Sequence, residues 1–94
     1  MLKKVNTKKG ISVTFIVDYL PDVELIEVAG EWNDWELEPM TRYKNGKHKL
    51  LVRLEAGREY EFRYRIDGKK WENEWEADRY VPNKQGSENS VVLC

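Results

Sequence analysis

Four tryptophans are the side chains in this sequence best suited to ligand chemistry. Trp32 and Trp35 flank an Asn-Asp pair, and Trp71 and Trp75 lie in a run of Lys and Glu. An indole offers a flat apolar face and one N–H donor, so an exposed indole stacks on a ligand or packs on a partner. Asn-Asp favours a turn, so Trp32 and Trp35 cannot both follow strand alternation. We expect Trp32 to face the core, Trp35 and Trp71 to face water, and Trp75 to cover a sheet edge.

Residues that commonly carry catalysis or hold metal are sparse. His48 is the one histidine and Cys94 the one cysteine, so a zinc site lacks ligands, and His48 is predicted to be an exposed strand residue. The sequence has no phosphate-binding glycine loop and no nucleophile elbow. Carboxylates cluster between Glu72 and Asp78, but a glycosidase also needs a walled pocket, which so small a sandwich rarely supplies. We expect a protein that is not an enzyme and binds no metal or cofactor. A small hydrolase that uses these carboxylates is kept as an alternative hypothesis.

Length and charge limit the classes of protein. The 94 residues allow one domain, and 16 Lys plus Arg against 17 Asp plus Glu give a net charge of −1, which argues against nucleic acid as a partner. No apolar run is long enough to span a membrane, and a single cysteine forms no internal disulfide. A soluble, cytoplasmic protein, monomeric or weakly dimeric, is therefore expected. Residues 1–9, basic and without an apolar stretch behind them, are expected to be frayed or only lightly pinned.

The apolar residues recur with a period of two, which is typical of half-buried strands. Asn-Gly and Asp-Gly pairs at 45–46 and 67–68 predict hairpin turns. The pattern predicts six to eight short strands in two antiparallel sheets, an all-β sandwich. The strands that we assign cover residues 12–19, 25–29, 48–54, 59–66 and 90–93.

The strand over residues 59–66 has the clearest alternation. Tyr60, Phe62, Tyr64 and Ile66 are predicted to fill the core, and Glu59, Glu61, Arg63 and Arg65 then point away from it. Two explanations of this outward row stay open. The charges pair across strands, or Arg63 contacts a ligand.

Three segments in order resemble carbohydrate-binding module family 48. They are Val28–Trp35, Gly57–Trp71 and Gly86–Val92, and together with the residues between them they span most of the chain. The family includes the glycogen-binding domain of the AMP-activated protein kinase beta subunit and the N-terminal early-set domains of isoamylases and glycogen branching enzymes. The resemblance implies an immunoglobulin-like, early-set sandwich that binds α-1,4-glucan, such as glycogen or starch, without catalysis.

The resemblance also implies a set of binding residues. The family's two stacking tryptophans fall on Trp35 and Trp71, its basic strand residue on Arg63, its sugar-bonding Asn on Asn89, and a Thr that contacts sugar on Ser87. Flat indoles suit the C–H faces of glucose, and Asn and Arg suit its hydroxyl rim.

The sequence departs from the family at several positions. Trp32 replaces the more usual Phe, Arg63 stands where the kinase subunit has Lys, an extra Lys lengthens the turn before Trp71, and Gln85 replaces a protruding Leu. A rival hypothesis therefore remains. In it, the same aromatic patch docks on a glycogen- or starch-metabolising enzyme or on a second copy of the chain, and binds little sugar.

Overall fold

The computed structural model describes residues 1–20 and 22–94. Its ten strands are β1 (Leu2–Thr7), β2 (Gly10–Val17), β3 (Ile26–Gly30), β4 (Glu38–Pro39), β5 (Thr41–Arg42), β6 (His48–Leu54), β7 (Glu59–Ile66), β8 (Lys70–Glu72), β9 (Arg79–Pro82) and β10 (Glu88–Leu93). One 3-10 turn, Glu31–Asn33, follows β3. Within the described ranges no helix has the length and apolar character needed to cross a bilayer.

The strands form two antiparallel sheets, which confirms the predicted all-β sandwich. The first sheet has the order β1-β2-β6-β5, and the second the order β4-β3-β7-β10-β9, with β8 pairing on β7. We call these sheet A and sheet B. The strand number exceeds the predicted six to eight because β4 and β5 are only two residues long and β1 had been assigned to a frayed segment. Strands of two residues are too short to show a periodic pattern in the sequence.

The core lies between the two sheets and follows the predicted alternation. Tyr60, Phe62, Tyr64 and Ile66 are all buried and pack against the inward residues of β2 and β3. The assigned ranges for β6 and β7 agree with the structure at both ends. Trp32 packs tilted on Phe15 at 5.2 Å between ring centroids, so it faces the core as predicted.

The assigned ranges of β2, β3 and β10 differ from the structure by one or two residues at one or both ends, and two further expectations also differ from it. Residues 2–7 pair with β2 along their whole length rather than fraying, because backbone hydrogen bonds hold an edge strand whose side chains are mostly exposed. His48 is 0% exposed, not a surface residue. It pairs with Val17 and has the same inward parity as Leu54, so the alternation that buries Leu54 also buries His48.

Candidate functional site

The candidate site lies on the side of sheet B that points away from the core, which we call the outward face. In an antiparallel pair, opposite residues share a face. Arg65 pairs with Trp71 on β8 and with Glu27 on β3, and Arg63 pairs with Ala29. Trp71, Arg65 and Arg63 therefore share the outward face. Ala29 is fully buried although it lies on this side of the sheet, so its methyl group is covered.

The turn before β8 decides that Trp71 points outward. Asp67 and Gly68 both have positive φ, at 50° and 66°, and the N–H of Lys69 donates to the Ile66 carbonyl at 3.0 Å. Ile66 pairs with Lys70, so the extra lysine is accommodated within the loop. A shift of one residue in this register would turn the Trp71 indole towards the core.

Arg65 supports the Trp71 indole. Its guanidinium carbon lies 5.0 Å from the centre of the Trp71 ring, and Nη2 donates to the Gly68 carbonyl at 3.0 Å. A guanidinium stacked on an indole is a cation–π contact, and it occupies one face of the ring. Trp71 keeps 38% of its surface exposed, so the arrangement leaves an indole that is held in place and still open to solvent.

Trp35 is held by a tight loop that follows β3. Asp34 and Trp35 both adopt positive φ, 56° and 64°, which is uncommon for a residue as bulky as Trp. The Trp35 N–H donates to the Gly30 carbonyl at 2.9 Å, and the Asn33 side chain bonds Gly30 N and the Glu36 carbonyl. These bonds fix the Trp35 backbone beside Gly30, the last residue of β3 and the residue after Ala29. Its side chain is 38% exposed, equal to Trp71.

A chain of side-chain hydrogen bonds fixes Asn89 on the outward face. Asn89 Nδ2 donates to Glu61 Oε1 at 3.0 Å, and Asn83 Nδ2 donates to Asn89 Oδ1 at 3.1 Å. Asn83 Oδ1 in turn accepts the backbone N–H of Ser87 at 3.1 Å, so Ser87 connects to Asn89 through Asn83. Asn89 is only 8% exposed, and each of its amide atoms keeps one bonding position that these contacts do not use.

Arg63 and Ser87 occupy different surroundings. Arg63 is half-buried between Ala29 and the register position of Asn89, and it makes no ion pair within 4.0 Å among residues 1–20 and 22–94. Ser87 lies in the β9–β10 turn and lines a shallow depression of about 420 Å³ with Asn73 and Tyr80. The structure therefore brings Arg63, Trp71 and Asn89 onto one face, anchors Trp35 at the end of β3, and places Ser87 at the margin.

Sequence reasoning missed the residues that hold the site in shape. Arg65 and Glu61 were placed on the outward row, but their contacts with Trp71 and Asn89 depend on strand pairing that the sequence does not state. Asn83 was not among the residues that the sequence analysis assigned. An Asn whose side chain bonds backbone N–H groups within a loop is a known turn device, and that was the one available clue.

Glu74 forms a second buried polar network, between the sheets. Its carboxylate is 0% exposed and accepts the Tyr64 hydroxyl at 2.8 Å, the Met1 amino group at 2.7 Å and the Glu76 N–H at 2.8 Å. Burial, and then the nearby Glu74 charge, raise the pKa of Tyr64 well above its usual range. The same two causes raise the pKa of Tyr19. A tyrosine whose pKa is raised stays a neutral hydrogen-bond donor, so the Tyr64 hydroxyl keeps its proton to donate to the Glu74 carboxylate.

The chemistry available to the candidate site is stacking and hydrogen bonding. Across the described part of the chain no three His, Cys, Asp or Glu side chains come together as a metal site requires. A scan against protein-family models finds no match to this chain, and a search of curated proteins finds no significant match either.

Proposed function

We propose that this protein binds α-1,4-glucan without catalysis, as a member of carbohydrate-binding module family 48. The single observation that carries the proposal is that Trp71, Arg63 and Asn89 share the outward face of sheet B while Trp35 is fixed at the end of β3. In this proposal Trp35 and Trp71 stack on sugar rings, Arg63 and Asn89 bond the hydroxyl rim, and Ser87 assists.

The backbone of Trp35 supports the proposal. A non-glycine residue in the left-handed region costs about 1–2 kcal/mol, and Asp34 and Trp35 occupy it in succession. Strained backbone of this kind concentrates at functional sites, where the surrounding structure holds it. Asn33 and Gly30 supply that hold here. The strained loop places on the surface an indole that does not pack in the core.

The expected affinity is weak. If each stacked ring removes ~70 Å² of apolar surface from water at about 25 cal/mol/Å², two rings contribute roughly 3–4 kcal/mol. Rim hydrogen bonds add to this figure and ordering costs reduce it, which leaves a Kd in the range of roughly millimolar to high micromolar. Tighter binding to a glucan polymer then requires several copies of the module that bind the same polymer at once.

Isothermal titration with maltoheptaose tests the proposal. Trp35→Ala and Trp71→Ala are each expected to weaken binding by about 20-fold, the factor that corresponds to one lost ring. Tyr43→Ala is the matched control, because Tyr43 is an exposed aromatic residue in the turn between β5 and β6 of sheet A. Cellohexaose, a β-1,4-linked chain, tests the preference for the α-linkage. Unchanged heats in both tryptophan variants would reject the site.

The rival hypothesis of a protein-docking surface has one observation in its favour. Leu37, in the same loop as Trp35, is also exposed. A pull-down with and without added glycogen separates the two hypotheses, since a glucan-dependent capture disappears when the glycogen is removed and a direct contact does not. We further propose a cytoplasmic location, which fits a chain with one cysteine.

A further inference from the structure

Trp75 is the most exposed of the four tryptophans and lies away from the outward face. Its side chain is 62% exposed, and its ring stacks on Tyr19 with 3.9 Å between centroids and 17° between planes. Tyr19 follows β2 of sheet A, so Trp75 lies on the flank where the two sheets meet. One face of the indole is covered by Tyr19. The sequence prediction that Trp75 covers a sheet edge accounts for that face but not for the exposed one.

The backbone on both sides of Trp75 is anchored by Glu74. The Glu74 N–H donates to Ser90 Oγ at 2.8 Å, and the Glu76 N–H donates to Glu74 Oε2 at 2.8 Å. The Tyr80 hydroxyl donates to the Glu74 carbonyl. A fully buried carboxylate costs free energy unless it is well bonded, and the bond that it accepts from the Glu76 N–H also fixes the residue after Trp75. The bonds of the Glu74 backbone N–H and carbonyl fix the residue before Trp75. Trp75 is therefore preorganised by both its backbone and its backing ring.

We propose that Trp75, backed by Tyr19, is a second stacking surface for a pyranose ring, separate from Trp35 and Trp71. This inference rests on the proposed glucan-binding function. The rings of Trp75 and Tyr19 are nearly parallel and form a flat platform, whereas a cation cage needs rings on several sides. A flat platform suits the C–H face of a sugar. Glu76 follows Trp75 directly in the sequence and Glu72 lies three residues before it, and both offer carboxylate oxygens that accept sugar hydroxyls.

The test is an ¹H–¹⁵N titration that follows the indole N–H signals of the four tryptophans. The protein variant is Trp35→Ala combined with Trp71→Ala, which leaves Trp75 as the one exposed tryptophan, and Trp75→Phe assigns its signal. The probes are maltoheptaose and, separately, tetramethylammonium chloride. The indole signal of Trp32, which packs on Phe15 in the core, reports in each spectrum that the protein is folded.

We expect maltoheptaose to shift the Trp75 signal in the double variant, with a millimolar Kd. Tyr19→Leu, which removes the backing ring, is expected to weaken this binding roughly 2- to 12-fold. A Trp71 signal that shifts in the wild type while the Trp75 signal does not move would overturn this inference and leave the proposed function standing. No shift of any indole in the wild type would overturn both. A Trp75 signal that responds to tetramethylammonium and not to maltoheptaose would replace the sugar with a cation.

Discussion

Gly30 is the position where a single methyl group is expected to disturb both the fold and the loop that carries Trp35. A Cβ built on Gly30 lies 2.4 Å from a carbon of the Trp32 ring, and carbon atoms pack best at about 3.5–4.0 Å. The ring must therefore move by about 1 Å. It is packed on Phe15 and Phe62, so it cannot move without breaking those contacts.

The expected cost of Gly30→Ala is that of an overpacked core, about 3 kcal/mol of unfolding free energy. For a domain of this size that corresponds to a fall in Tm of about 15 °C. Thermal unfolding followed by circular dichroism measures it. Because the Trp35 N–H donates to the Gly30 carbonyl, the same variant is expected to weaken maltoheptaose binding.

A double-mutant cycle separates the clash from other causes. The backbone of Gly30 is extended, at φ −156°, so alanine fits it without strain. In a Trp32→Phe background, whose smaller ring reaches less far, Gly30→Ala is therefore expected to cost much less than in the wild type. If the loss of stability is the same in both backgrounds, Trp32 is not the obstacle and the packing argument is wrong.

The remaining predictions concern the support of the platform and the response to acid. Arg65→Leu is expected to weaken maltoheptaose binding roughly 2- to 5-fold, because Trp71 loses the guanidinium that stacks on it. The control is Arg53→Leu, on the outer side of sheet A, which is expected to leave binding unchanged. Equal losses of affinity in the two titrations would refute a specific role for Arg65. Burial lowers the pKa of His48 in the folded protein, so below about pH 6.5 the unfolded chain binds the proton more readily and stability falls as pH falls, by at most about 1.4 kcal/mol per pH unit. Urea unfolding between pH 7 and 5 is expected to show this slope in the wild type and a flatter one in His48→Leu.

The core and its main strands could be predicted because period-two alternation is a local property of the chain. The alternation from Tyr60 to Ile66 assigned β7 and its inward face, and the structure agrees at both ends. In β6 the same alternation, continued from Leu50 back to His48, would have placed His48 on the inward face. Alternation does not predict the pairing of β1 and of the two-residue strands, because the pairing of an edge strand depends on the neighbour that the fold places beside it.

The residues of the candidate site were assigned from the resemblance, whereas their supports became visible only in the structure. These supporting contacts join segments that are distant in sequence, or they depend on strand register. Arg65 lies beneath Trp71, Glu61 and Asn83 lie beside Asn89, and Tyr19 lies beneath Trp75.

The sequence by itself determined an all-β sandwich and the two faces of its central strand, because side chains alternate wherever a strand forms. Only the tertiary structure decided which exposed indoles are held rigidly and by what. That outcome depends on strand register, on the extra residue in the turn before Trp71, and on a buried carboxylate that fixes the loop around Trp75. Each of these brings together residues whose spacing along the chain carries no signal of their contact.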